Sequence, residues 1–304
     1  PMLDAYSRQN YLDNVLRGGI PKIFPAANGE VPLHLYSRRH GDLERDYNEF
    51  YISPHPLADG PGNYRDICQN RRYDVWFYPE IGDQEIRMFL SLIQADGYNP
   101  LAITGYRWEF PDNIDASTLC PATEPNAQRA FQRIVGKPFS PGAILGWKNQ
   151  YGVSIPKPME WLHILLQECT SSLIATGHEG GYWIDHWTYI VDLLEAYEGI
   201  WPDAIEAMLT ENANIPWFDE GAFVEPRSVK HVMRPGGPLQ LDAVSDAIPG
   251  STVFPAVTPL AKCCALLAIK AISLDAEGLG IEMEAGRPGW NDSLNGLPGI
   301  FGSS

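Results

Sequence analysis

Apolar positions recur at three- and four-residue spacing over several stretches of the chain, the pattern of helices that bury one face. The first stretch covers about residues 2–17 and is closed by Gly18 and Gly19. Asp83 is a good N-cap for a second, which carries Ile86, Phe89, Leu90 and Ile93 on one face before Gly97 ends it. Ala127, Ala130, Phe131, Ile134 and Val135 predict a third helix after Thr123, stopped by Gly136. The spacing of Met159, Leu162, Leu165, Leu166, Cys169 and Leu173 predicts one continuous helix over 158–176. Asp185 caps a further helix with Trp187, Ile190, Val191, Leu194 and Tyr197 as its stripe, and Pro202 opens a short one to Leu209. The last, 260–274, follows Thr258 and Pro259 and is apolar nearly all round, which predicts burial. Strand signals are confined to 229–233 and 281–283. The expectation is an all-α protein of stacked helical hairpins with long loops.

Composition gives those loops a chemistry. The 28 Gly and 26 Pro stand beside nine Trp and 14 Tyr, so the loops carry flat rings on which the apolar faces of a pyranose can stack. Lys plus Arg total 22 against 38 Asp plus Glu, a formal charge of −16 that repels nucleic acid and anionic membrane surfaces. A neutral glycan is indifferent to that field. No apolar run approaches the roughly 20 residues that span a bilayer, and no signal peptide opens the chain, so a cytoplasmic protein is expected. Five cysteines without CxxC spacing predict reduced thiols rather than a disulfide framework or zinc cluster. The start at Pro1 rather than Met suggests an incomplete coding region.

Three polar clusters could carry chemistry. The first is the run 62–72, with Tyr64, Arg65, Asp66, Gln69, Arg71 and Arg72. A carboxylate beside guanidinium groups can bind neighbouring sugar hydroxyls while staying charged, and the competing reading is a structural ion-pair network. The second, 177–187, holds His178, Glu179, Trp183, Asp185 and His186. Its two histidines lack the i, i+4 spacing of a helical zinc pair, so no metal is expected and the aromatic residues favour sugar contact. The third, 286–296, places Asn291 and Asp292 directly after Trp290. A carboxyl beside an indole in a Gly/Pro-shaped loop is partly desolvated and can remain protonated as a general acid, unless the pair only closes an Asx turn.

Residues 289–295, Gly-Trp-Asn-Asp-Ser-Leu-Asn, resemble the Trp-Asn-Asp-x-x-Asn loop of glycoside hydrolase family 94, the cellobiose and chitobiose phosphorylase group. Tyr64-Arg65-Asp66 with Gln69 is similar to that family's Tyr-Arg-Asp-x-x-Gln motif, and the two occur in the same chain order. The resemblance implies an (α/α)6 six-hairpin toroid, incomplete here, with the whole of 1–304 as part of one catalytic domain and with flanking domains missing. It implies Asp292 as general acid, and Arg65, Asp66 and Trp290 as sugar contacts. It needs no cofactor, with inorganic phosphate as co-substrate.

The expected function is thus cleavage of a β-glycosidic bond in a gluco-oligosaccharide or β-glucan by inverting phosphorolysis. An inverting hydrolase would instead need a base across the site, for which Glu179 and Asp185 are candidates, with Trp183 as a further sugar contact. A non-catalytic sugar-binding fragment is the third reading. The partners expected are an oligosaccharide substrate and the missing flanks, with homo-oligomerisation left open.

Overall fold

The computed structural model describes residues 20–35, 57, 62–176, 182–183, 187–240, 244–246, 254–272, 274 and 284–285. It mixes helices with small sheets, which overturns the all-α six-hairpin toroid. Two compact units emerge, one from Pro1–Asn70, Phe77–Gln84 and Thr104–Ile174, the other from Arg71–Trp76, Glu85–Ile103 and Ala175–Ser304. The expected helix at 2–17 and strand at 281–283 lie outside the described residues.

In the first unit, strands Ile20–Ala26 and Gly29–Leu35 pair antiparallel, with Ala26 opposite Gly29. The tight turn uses Gly29 at φ 128, a conformation that a side chain resists. Three prolines, Pro21, Pro25 and Pro32, are tolerated because a two-stranded ribbon has open edges. The Asn28 side chain fastens the turn to a second strand, Thr170–Thr176: its Nδ2 donates to the Ser171 carbonyl at 2.9 Å, and its Oδ1 accepts from the Ser171 N–H at 2.8 Å.

Helices Pro125–Val135, Pro141–Gln150 and Pro158–Gln167 pack in sequence, and the last lies on the Ile20–Ala26 strand. Their buried apolar residues close one core around Phe24, Trp108, Phe131, Trp147, Leu162 and Leu166. Both buried indoles satisfy their N–H groups on backbone carbonyls, Trp108 on Pro25 at 2.9 Å and Trp147 on Ala127 at 2.8 Å. Ser140 caps the Pro141–Gln150 helix through the Ala143 N–H.

The continuous helix expected over 158–176 is a helix followed by a strand. Leu165, Leu166 and Cys169 are buried at helical spacing, but from Thr170 to Ala175 exposed and half-buried residues alternate, a period of two. Together with Gly62–Asn63 and Ala102–Glu109, this strand forms a three-stranded sheet.

The second unit packs helices Trp187–Ile200, Ile205–Thr210 and Pro259–Ile272 on one another. Ile190, Leu193, Tyr197, Met208, Cys263 and Leu266 supply buried surface there. Short ribbons complete it: His231–Arg234 with Gly237–Gln240, and Ala222–Val224 with Val244–Asp246. The first of these overlaps the strand expected at 229–233, shifted because Arg227–Lys230 forms a helical turn.

Pro259–Ile272 corrects a second expectation. Its apolar circumference is not buried throughout, since Leu260, Leu267 and Ile272 are exposed, and its inner stripe contains a lysine, Lys262. Gly97 lies against this helix with φ 85, and a Cβ there would sit 2.6 Å from Cβ and Cγ2 of Ile269.

Candidate functional site

The Tyr64-Arg65-Asp66-x-x-Gln69 run is one helix, Tyr64–Arg71. Tyr64, Ile67, Cys68 and Arg71 are buried, the i, i+3, i+4, i+7 stripe of a helix docked on one side. Arg65, Asp66 and Gln69 occupy helical positions outside that stripe, and Gln69 is exposed. Packing thus claims Tyr64, Ile67, Cys68 and Arg71 of the run.

Trp183 is in the short strand Tyr182–Trp183, where its backbone pairs with Asn99 on one side and Glu284 on the other. Glu179, Asp185, Trp290 and Asp292 lie outside the described residues, as do His178 and His186.

An ion-pair network does include the end of this run, through Arg71 and through Arg72, whose NH1 lies 3.4 Å from Asp192 Oδ2. Arg71 NH1 bonds Asp74 Oδ2 at 3.2 Å, and both side chains are enclosed. Glu85, at the start of helix Gln84–Ser91, is equally buried and shares a side-chain hydrogen bond with Asp74. Burial raises the Asp74 carboxyl to about 6 against the pull of Arg71. Burial and then the Asp74 charge push Glu85 well above its ordinary value. The low-energy arrangement is one guanidinium, one carboxylate and one carboxylic acid that donates to it, a set without net charge.

That arrangement could hold a proton near neutrality, yet Asp74 and Glu85 are each only 3% exposed. Their chemistry is therefore internal, tying Arg71–Trp76 to the following helix. Because the folded chain retains protons that the unfolded chain releases above about pH 4, this network's stability contribution is full in acid and falls as pH rises through 6. Glu85→Gln keeps a donor toward Asp74 and should flatten the dependence of the unfolding midpoint on pH between 4 and 7. An unchanged slope in denaturant titrations would assign the effect elsewhere.

A second buried charge stands in helix Pro259–Ile272. Lys262 is fully enclosed, with Nζ 2.7 Å from the Ile93 carbonyl and 3.8 Å from the centre of the Trp217 ring. Desolvation lowers its amine to about 7. The same Ile93 carbonyl accepts from the Phe218 N–H at 3.1 Å, so one oxygen gathers the helix and the 217–218 segment.

The sequence reading missed Asp74, Glu85 and Lys262. Asp74 and Glu85 are eleven positions apart and meet only through tertiary packing, and Lys262 stands as one of two lysines in a run too apolar to show which side is buried.

Comparison with known proteins finds no matching family model, no matching curated protein and no matching solved structure. The functional reading therefore draws on the residues themselves.

Proposed function

We propose that the chain is a carbohydrate-active enzyme that cleaves a β-glycosidic bond in a gluco-oligosaccharide or β-glucan by inverting phosphorolysis. The observation that supports the reading is the Tyr64–Arg71 helix itself, which carries Arg65, Asp66 and Gln69 at positions off the stripe of Tyr64, Ile67, Cys68 and Arg71. The proposal rests on the two motifs and not on a helical toroid, which the structure lacks.

In this reading Arg65 and Asp66 hold hydroxyls of the sugar on the non-reducing side, and Trp290 covers a pyranose face. Asp292 gives its proton to the departing glycosidic oxygen as phosphate attacks the anomeric carbon from the opposite side, inverting the centre. Phosphate arrives charged and needs no carboxylate base. Water would need one, and Glu179 or Asp185 would then supply it.

Among the described residues no helix is long and apolar enough to cross a membrane. No disulfide joins the five cysteines, all of them among those residues, which supports a reducing, cytoplasmic setting as part of the same proposal.

Incubation with cello-oligosaccharides or a β-1,3-glucan oligomer, with and without phosphate, tests the reaction. Sugar 1-phosphate formed only when phosphate is present is the expected product. Free sugar at equal rates in both tubes would point to the hydrolase, and retention of the glycan without turnover would point to a binding module.

A further inference from the structure

We propose that a surface cavity of the first unit binds a phosphate group, free or carried by a sugar-sized molecule, between Arg129 and Arg133. The cavity measures about 570 Å³ and is lined by Asn126, Arg129, Gln132, Arg133 and Tyr151. That volume falls in the range of small-molecule sites and exceeds what a bare oxyanion fills.

Charge decides the class of ligand. Acidic residues outnumber basic ones 38 to 22, yet among the described residues no carboxylate lines this cavity. Arg129 and Arg133 are one helical turn apart on Pro125–Val135, so their side chains leave neighbouring positions of one face. Arg129 donates to Asn126 Oδ1 at 2.6 Å, and neither guanidinium pairs with a carboxylate among the described residues. No Asp or Glu stands three or four positions from either arginine along the helix.

A structural duty explains only half of this. Arg133 is in the last turn, where the helix dipole favours a cation. Arg129, a turn earlier, gains little from that field. Two guanidinium forks beside each other match a dianionic phosphate, which can accept from both at once, better than a single carboxylate. The Tyr151 hydroxyl and the Asn126 and Gln132 amides provide donors and acceptors for hydroxyls on the remainder of the ligand. The arginines are exposed, so binding is reversible and weakened by salt. None of the five residues belongs to the glycosidase motifs, and the site stands or falls independently of that reaction.

Calorimetric titration of the 304-residue chain with glucose 6-phosphate, inorganic phosphate and glucose tests the site, alongside the double variant Arg129→Gln, Arg133→Gln. Glucose 6-phosphate should bind at least tenfold more tightly than glucose, lose at least tenfold in the variant, and weaken in 0.5 M NaCl. Inorganic phosphate binding as tightly as the sugar phosphate, with the same loss in the variant, would support the site and identify free phosphate as its ligand. The two arginines are exposed, so the variant should keep the parent's circular dichroism. A folded variant that binds glucose 6-phosphate like the parent would overturn the proposal, as would glucose binding equally well. A variant with altered circular dichroism is replaced by Arg129→Lys, which keeps the charge but loses the fork and should lose several-fold.

Discussion

Gly97→Ala should cost the protein about 3 kcal/mol or more, enough to threaten folding in a domain whose whole margin is about 5–15 kcal/mol. Two costs combine. The residue has φ 85, which strains any L side chain, and the added methyl would lie 2.6 Å from two carbons of Ile269 in helix Pro259–Ile272. Ile269 is branched at the carbon that is struck, so it cannot rotate clear, and the Ala265 carbonyl oxygen at 3.2 Å closes another side. Gly152 provides the control, because it also has positive φ, 62, but nothing lies within 4 Å of its missing Cβ. Gly152→Ala should lose only about 1–2 kcal/mol from backbone strain. Chemical denaturation of both variants measures the difference, and equal losses would mean that the helix yields to the methyl.

The same helix shows where sequence reading stops. Its ends and its existence were legible from Pro259 and a long apolar run, but that run was too uniform to reveal which side is buried, and Leu267 and Ile272 are outside while Lys262 is inside. Thr170–Thr176 failed for another reason. Leu173 continues the three-and-four spacing of Leu162, Leu165, Leu166 and Cys169, so a helix could be read straight through, although the alternation beginning at Thr170 belongs to a strand. The first hairpin was hidden by its prolines despite the Asn28-Gly29 turn signal. Pro141–Gln150 was missed because its apolar residues are spread round the helix instead of gathered on a face. Of the candidate site, the Arg65 and Asp66 string was legible only as a motif resemblance, while the Asp74–Glu85 pairing exists only once the fold brings the two together.

Under the proposed reaction, Asp292→Asn should leave oligosaccharide binding near the parent value and reduce turnover by about 10²–10⁴, the usual contribution of general acid catalysis. A sugar alkoxide is too basic to leave unaided near neutral pH. An amide cannot supply the proton, although it keeps the size and one acceptor of the carboxyl group. Fluoride departs without such help, so a glycosyl fluoride should be turned over by the variant at close to the parent rate. Steady-state kinetics on both substrates separate chemistry from folding, since a misplaced loop would slow them equally. Equal losses would move the search for the acid to Glu179 or Asp185.

The enclosure of Lys262 makes it a chemical clock. With its amine lowered to about 7, a large share is uncharged at neutral pH, the form that attacks acylating reagents. Yet no surface of Lys262 meets solvent, and the Trp217 ring covers the nitrogen. Lys157, with a side chain 72% exposed, is labelled at a rate set by the reagent. Acylation of Lys262 instead waits for the helix and the 217–218 segment to part, so its rate counts openings of the second unit.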